Sequence, residues 1–251
     1  MAKQTGIIKL KGTIGGISFY KTSDGHLARE KGGVEASRIA NDPAFQRTRE
    51  NGAEFGAAGK GGKVLRNAIR VLLQNAKDKR VVSRLTTDLL KVVKTDSTNA
   101  RGLRTVEDGN LDLLVGFEFN TNAKLGATLF TPFVNAFDRV SGDASVSIAA
   151  FAPSIRVAAP TGTTHFKMVM GAAEIDFSAE TSTFESDETA ILPYDSSQGT
   201  AIDLTATITA NSTLPVIQVL GIEFYQEVNG EMYPLKNGSY NALSVTDIDT
   251  V

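Results

Sequence analysis

The sequence predicts an α+β protein. An N-terminal β-meander with about three helices precedes a C-terminal antiparallel β-sandwich, jelly-roll-like or immunoglobulin-like. Three observations predict it. Apolar and polar residues alternate in short runs from Ile8 to Lys31, with glycine turns between the runs. From Ala44 to Val93 the apolar residues recur at three- and four-residue spacing, the period of amphipathic helices. From Leu111 onward short alternating runs return between turns, as in a sandwich or barrel. The change of character divides the chain into a domain 1–108 and a domain 109–251, a division that 251 residues allow.

In the meander, Ile8, Leu10 and Ile14 share one parity while Lys9 and Lys11 share the other, the pattern of a half-buried strand. Gly15-Gly16 interrupts it as a turn, and Ile17 and Phe19 resume it. Asp24-Gly25 then separates Ile17–Lys21 from His26–Lys31, a hairpin signal. Three short strands bury too little apolar surface to stand alone, so they need cover from the second half or from another subunit. Their open edges offer unpaired backbone groups to a neighbouring strand.

Gly32 to Asn41 shows no periodicity and reads as an extended connector. Asp42-Pro43 starts a helix: a carboxylate accepts from the first free amides, and proline takes the first helical position. This helix spans Ala44–Ala58. Gly52, Gly56 and Gly59 lie near one of its faces and suggest close approach by another element, since glycine weakens a helix by about 1 kcal/mol against alanine. Gly61-Gly62 reads as a break. A second helix, Lys63–Lys77, turns Leu65, Ile69, Leu72, Leu73 and Ala76 inward, and a third, about Asp78–Val93, turns Val82, Leu85, Leu89 and Val93 inward. Lys94–Asn110 is polar and turn-rich, a link between the halves.

The strand candidates of the second half are Leu113–Phe119, Ala127–Phe130, Val146–Ala150, Ile155–Val157, Phe166–Met170, Ile175–Phe177, Ile202–Ile208, Val216–Tyr225 and Met232–Leu235. Asn229-Gly230 marks the clearest hairpin.

The residues exclude most catalytic chemistries. Cysteine is absent, which removes disulfides, thiol nucleophiles and thiolate-bound zinc, and two lone histidines do not make a histidine metal site. GAAGKGGK (Gly56–Lys63) misses the phosphate-loop spacing, because Ala57 stands five before Gly62 and Val64 follows the lysine. The hydrolase elbow, the zinc-protease helix and the dinucleotide turn are all missing. Glu107, Asp108 and Asp112 lack the calcium-loop spacing. The acidic runs Glu185-Ser186-Asp187-Glu188 and Asp247/Asp249 read as solvated, and His165 as a surface residue. No enzyme activity, cofactor, metal or catalytic residue is expected.

Charge is the informative feature. Residues 1–110 carry 21 basic and 11 acidic side chains, a net +10, and the remainder carries 5 and 17, a net −12. Lys63, Arg66, Arg70 and Lys77 form a helical stripe, with Arg47 and Arg49 upstream, and are the candidate contacts for an anion or an assembly partner. No run approaches the roughly 18 apolar residues of a membrane span. MAKQTGIIKLKG lacks a signal-peptide core, so cytoplasmic synthesis is expected, with a virion-like or extracellular final location open.

The pattern GTIGGISFYKTSDGHLAREKGGV followed by NDPAFQRTRENGAEFG resembles the opening of a set of uncharacterised bacterial proteins. These begin with a Gly-Gly hairpin, an aromatic strand end and an Asp/Asn-Gly turn, continue with a short helix bearing a Gln-x-Arg-like segment, and end in a β-rich half. The resemblance is closest over residues 6–60. It implies no activity and carries over no functional residues.

Charge split and unpartnered strands together point to a non-enzymatic structural protein that self-assembles, as in a particle, tube, filament or phage-like assembly, through its N-terminal strands and oppositely charged halves. The alternatives are a sequence-nonspecific nucleic-acid-associated protein using the basic half, and a carbohydrate- or peptide-binding sandwich. The absence of tryptophan speaks against the last.

Overall fold

The computed structural model describes residues 2–30 and 32–250. Residues up to 49 form one compact unit and residues from 50 onward a second.

The first unit contains β1 (Ala2–Lys3), β2 (Gly12–Ile14), β3 (Ile17–Thr22) and β4 (Gly25–Glu30), an antiparallel sheet in the order β1-β4-β3-β2. Gly15, at φ +58, opens the β2–β3 turn. The expected first strand is shorter than its alternation: only Gly12–Ile14 pairs, while Gly6–Lys11 lies in no strand. Lys31, the last residue of the expected third strand, lies outside the described residues.

The expected extended connector is corrected. It contains the helix α1 (Ala36–Asn41), held by an Arg38–Asp42 pair at 3.1 Å and by the Asn41 amide donating to Ser37 O at 2.9 Å. α1 buries no residue, so no apolar stripe marked it in the sequence. Asp42 caps as expected, its carboxylate accepting from Ala44 N at 2.9 Å, with Pro43 next. A 3-10 turn, Pro43–Phe45, leads into α2 (Gln46–Ala68).

α2 does not break at Gly59 or Gly61-Gly62. The close approach expected at Gly52, Gly56 and Gly59 is also displaced, for nothing lies within 4 Å of a Cβ built at those three. It occurs one turn later. A Cβ on Gly61 would meet Val106 Cγ2 at 2.9 Å, and one on Gly62 would meet Leu89 Cδ1 at 3.2 Å. The pair is glycine because neighbours press on it, not because the helix stops. A kink at Ile69 leads to the single turn α3 (Arg70–Leu73), and α4 (Val81–Thr95) follows.

The rest of the second unit adds α5 (Leu125–Thr128), β5 (Phe133–Asp138), β6 (Asp143–Ile148), α6 (Pro153–Arg156), β7 (His165–Asp176), β8 (Thr181–Glu188), β9 (Leu192–Pro193), β10 (Ile202–Thr207), β11 (Val216–Val228), β12 (Glu231–Pro234) and β13 (Ala242–Asp249). Three expected strands are corrected. Leu111–Leu114 is a 3-10 turn, with Glu118 bridging Ser244 beyond it, and α5 and α6 each take two residues of the runs Ala127–Phe130 and Ile155–Val157, whose Leu129 and Val157 bridge each other. The Asn229-Gly230 hairpin forms between β11 and β12, with φ of 54 and 84 at its two turn residues.

One sheet runs β12-β11-β7-β8, with β13 pairing β11 and β9 pairing β7; the other runs β10-β6-β5. Alternate residues of β7 and β11 serve two cores. Phe166, Met168, Met170, Leu220, Ile222 and Phe224 face the three-stranded sheet, whose Val146, Ile148 and Leu204 meet them. Val169, Ala173, Ile175, Ile217 and Val219 face the other way, against Leu65, Leu85 and Leu89 of the helices. The second unit is thus a β-sandwich with a third, helical layer. Residues 50–95 share a core with the sheet, so the expected division at 108/109 falls inside this unit.

Gly171 in mid-β7 shows how tightly the layers meet. A Cβ there would lie 2.6 Å from the Phe184 ring and 3.1 Å from Leu72 Cδ1. Individual side-chain bonds cross between the two sheets on each side. Asn135 Nδ2 of β5 donates to Thr246 O of β13 at 3.1 Å, and Thr205 N of β10 donates to Asp187 Oδ2 of β8 at 3.0 Å.

Candidate assembly surface

Antiparallel register sets the two faces of the N-terminal sheet. Ala28 stands opposite both Ala2 and Phe19, Gly12 opposite Phe19, and Ile14 opposite Ile17, so these six residues share one face. Tyr20 and Leu27 lie on the other, where the Arg29 guanidinium sits 5.5 Å from the Tyr20 ring centroid. Lys21, His26 and Glu30 lie toward the ends of the first face, and its apolar residues are exposed, Ile14 by 62% and Ile17 by 46%. Not one described residue up to Arg49 is buried. Beside this sheet, Gly6–Lys11 carries Ile7 and Ile8, 102% and 81% exposed. The Gln4 amide holds both backbone groups of Leu10, accepting from its N–H at 2.8 Å and donating to its carbonyl at 3.2 Å.

The basic candidates are scattered by the actual helix boundaries. Arg49 Nη1 donates to Ile39 O at 2.7 Å and Asp42 O at 3.0 Å, which ties α1 to the start of α2. Arg47 begins α2 and has contacts of its own. Arg66 is half-buried and donates from Nε to Gly62 O of its own helix at 2.9 Å. Lys63, Arg70 and Lys77 are exposed and enter no ion pair among the described residues. The Ile69 kink sets Arg70 on α3 and Lys77 beyond it, so the regular stripe the sequence suggested does not persist.

Residues that sequence reading passed over do more structural work. Buried Glu54 accepts from Gly102 N at 3.0 Å and lies 3.9 Å from Arg104. Asp96, also buried, gathers the N–H groups of Thr98, Asn99 and Thr105 and the Asn99 amide, all within 2.9 Å. Burial pushes its carboxyl up, but those donors outweigh it and hold its pKa at about 2. Asp78 behaves likewise. Burial raises it, while Thr121, Arg80 N–H and the Arg84 guanidinium at 2.6 Å bring it to about 2. A folded-state pKa below the unfolded value contributes stability above the unfolded pKa, and that stability is lost as pH falls through the folded one. Unfolding free energy is therefore expected to decline between about pH 4 and pH 2. Asp96→Asn, at lower overall stability, should flatten that decline in urea titrations at stepped pH.

The densest ionisable cluster lies on the helix-facing side of β7 and β11. Lys167 Nζ is 2.8 Å from Glu188 and 3.7 Å from buried Glu223, which accepts from Tyr225 OH at 2.7 Å and Asn75 Nδ2 at 2.9 Å. Burial works against the Lys167 charge, yet the two carboxylates raise its pKa above the usual lysine value. Burial and the bond to Glu223 push Tyr225 up to about 12. Both groups are moved away from neutrality, the opposite of what proton transfer requires. His165, half-buried at the start of β7, lies 4.0 Å from Glu227 and has its Nδ1 2.9 Å from Thr164 Oγ1.

The two best-formed cavities are small: one of about 170 Å³ lies between Gly61, Val106 and Phe177, and one of about 140 Å³ between Phe151, Phe166 and Leu192. Two shallower depressions are larger, about 650 Å³ along Ile17 and Ala28 of the N-terminal sheet and about 430 Å³ beside Thr131, Phe151 and Arg156. Ligand sites usually offer roughly 300 to 1,000 Å³ in an enclosing cleft. Among the described residues no three His, Cys, Asp or Glu side chains are grouped to hold a metal, and no helix is long and apolar enough to cross a membrane.

No family model, curated protein or solved structure matches the chain. The functional reading rests on the geometry above: no described residue up to Arg49 is buried, whereas the second unit has two packed cores.

Proposed function

We propose that this chain is a non-enzymatic structural subunit that self-assembles into a larger particle, tube or filament. The observation that carries the reading is a four-stranded sheet with an apolar face and no buried residue. Such a sheet gains little from folding alone, and a neighbouring subunit supplies the missing cover. Charge supports the same reading. Residues 1–49 hold 9 basic and 4 acidic side chains, and residues 50–251 hold 17 and 24. Contact between unlike surfaces of successive copies is heterologous and gives rings or open filaments.

Light scattering coupled to size exclusion, on nucleic-acid-free protein with negative-stain imaging of the peaks, tests it. Regular particles or fibres are expected at low salt, shrinking at high salt as screening weakens the charge contacts. A monomer of 26.7 kDa at every concentration overturns the reading.

A second reading, sequence-nonspecific nucleic-acid association, is favoured by the exposed and unpaired Lys63, Arg70 and Lys77. It requires binding that weakens steeply and log-linearly with salt. A gel-shift series on Lys63→Glu/Arg70→Glu, with unchanged affinity, eliminates it. The carbohydrate or peptide reading has the small Phe151/Phe166 cleft and the shallow depression beside Thr131 and Arg156 to draw on.

A further inference from the structure

We infer that Gly6–Lys11 of one copy adds as a strand to the open edge of β8 in a second copy. This rests on the self-assembly reading and names the contact within it.

Gly6–Lys11 has the composition of a strand without the pairing. Ile8 and Leu10 alternate with Lys9 and Lys11, yet the segment belongs to no sheet and leaves Ile7 and Ile8 in solvent. Among the described residues, the Gln4 side chain answers both backbone groups of Leu10, standing where a neighbouring strand would.

β8 is the complementary surface. It is the last strand on its side of the six-stranded sheet, and its eight residues pair only with β7. An edge strand of this kind turns the N–H and C=O of alternate residues outward. Asp187 reaches across to Thr205 of β10, while Thr181 to Thr183, Glu185 and Ser186 remain exposed. Exposed edges are commonly guarded by charged side chains. Those of β8 are all acidic, Glu185, Asp187 and Glu188, so they repel another acidic edge but admit a basic strand.

The two patterns fit in sidedness and in charge. Phe184 and Ser186 lie on the helix-facing side of β8, with Glu185 and Asp187 on the other. A strand laid along it with Ile8 and Leu10 on the Phe184 side turns Lys9 and Lys11 toward the carboxylates. We take the register that sets Lys9 opposite Glu185, which either strand direction allows. The acceptor is a second copy because one chain carries both the basic donor and the acidic acceptor, which is the condition for head-to-tail propagation.

The chain has no cysteine, so the contact can be read by disulfide capture in the full-length protein. Lys9→Cys and Glu185→Cys chains are mixed, oxidised mildly and run without reductant, beside a control pairing of Lys9→Cys with Asp203→Cys on β10. A linked dimer several-fold above the control is expected. Lys9→Glu should raise the concentration for half-assembly by about tenfold, and mixing it with Glu185→Lys should restore it. Linkage no greater than the control, charge reversal without effect, or a doubly substituted chain that closes only on itself each overturn the inference. If the unmodified chain assembles while the pair fails to link, the strand contact falls and the assembly reading stands. If the unmodified chain stays monomeric, both fall.

Discussion

A chain shortened to begin at Gln46 is expected to keep its thermal transition within roughly 5 °C of the full-length protein and to lose assembly altogether. The first half of this expectation follows from where burial lies. Stability comes chiefly from apolar surface removed from water, at about 25 cal/mol per Å². Every buried residue described belongs to residues 54–248, and none precedes Glu54. The second half follows from what is removed: the uncovered face of Ile14, Ile17 and Phe19, the Ile7/Ile8 segment, and Lys3, Lys9, Lys11 and Lys21. Calorimetry and light scattering on the same samples separate the two. A shortened chain that melts far lower would show that residues ahead of α2 help hold the rest. One that still assembles would place the subunit contact elsewhere.

Phe119→Ala is expected to lose about 3 to 5 kcal/mol of folding free energy, a large part of the 5 to 15 kcal/mol typical of a domain. Phe119 is fully buried and stacks edge-on against Phe117, ring centroids 5.1 Å apart. Its backbone is as busy as its ring. Its N–H donates to Leu243 O of β13 at 2.8 Å, and its carbonyl accepts from Asp78 N at 3.2 Å and from Arg84 at 3.3 Å. The residue therefore pins the loop after the 3-10 turn to both the sheet and the approach to α4. Alanine keeps the backbone bonds and empties the ring site, so the loss isolates packing. Urea denaturation should show a lower midpoint at unchanged slope. Phe119→Leu should recover more than half of the deficit, because the site needs apolar volume first and an aromatic edge second.

Much of this architecture was legible in the residues. The Asp42-Pro43 cap, the Asn229-Gly230 hairpin and the inward Leu85, Leu89 and Val93 of α4 obey local rules that tertiary packing left intact, whereas Val82, expected inward, is exposed and Val81 and Val92 take the buried places. What the sequence obscured had physical causes. β8 reads as a solvated acidic run because an edge strand, covered on little of its surface, has no need of an apolar alternation. β7 looked like two short strands because Gly171, Ala172 and Ala173 interrupt its apolar run, and Phe184 and Leu72 press on the glycine from outside the strand. α2 looked broken at Gly61-Gly62 for the same reason. In each case a small residue marks a close approach by something distant in sequence, which no local window contains. The candidate surface was half legible. Alternation and charge in residues 8–21 were plain, but only the fold shows that the sheet they form buries nothing, and that the basic stripe is divided by the Ile69 kink.

The sheet shared by two cores ties the molecule's fate together. β7 and β11 present one set of side chains to the helices and the alternate set to the three-stranded sheet. Peeling away the helical layer would bare the back of strands whose front still holds the sandwich, and opening the sandwich would bare the other side of those same strands. Neither layer can be lost without stripping a wall from the other, so the helical layer and the sandwich are expected to unfold together, with coincident transitions by helix- and core-sensitive probes. For a subunit that must keep its shape while its neighbours pull on it, such all-or-none resistance turns many weak contacts into a single mechanical element.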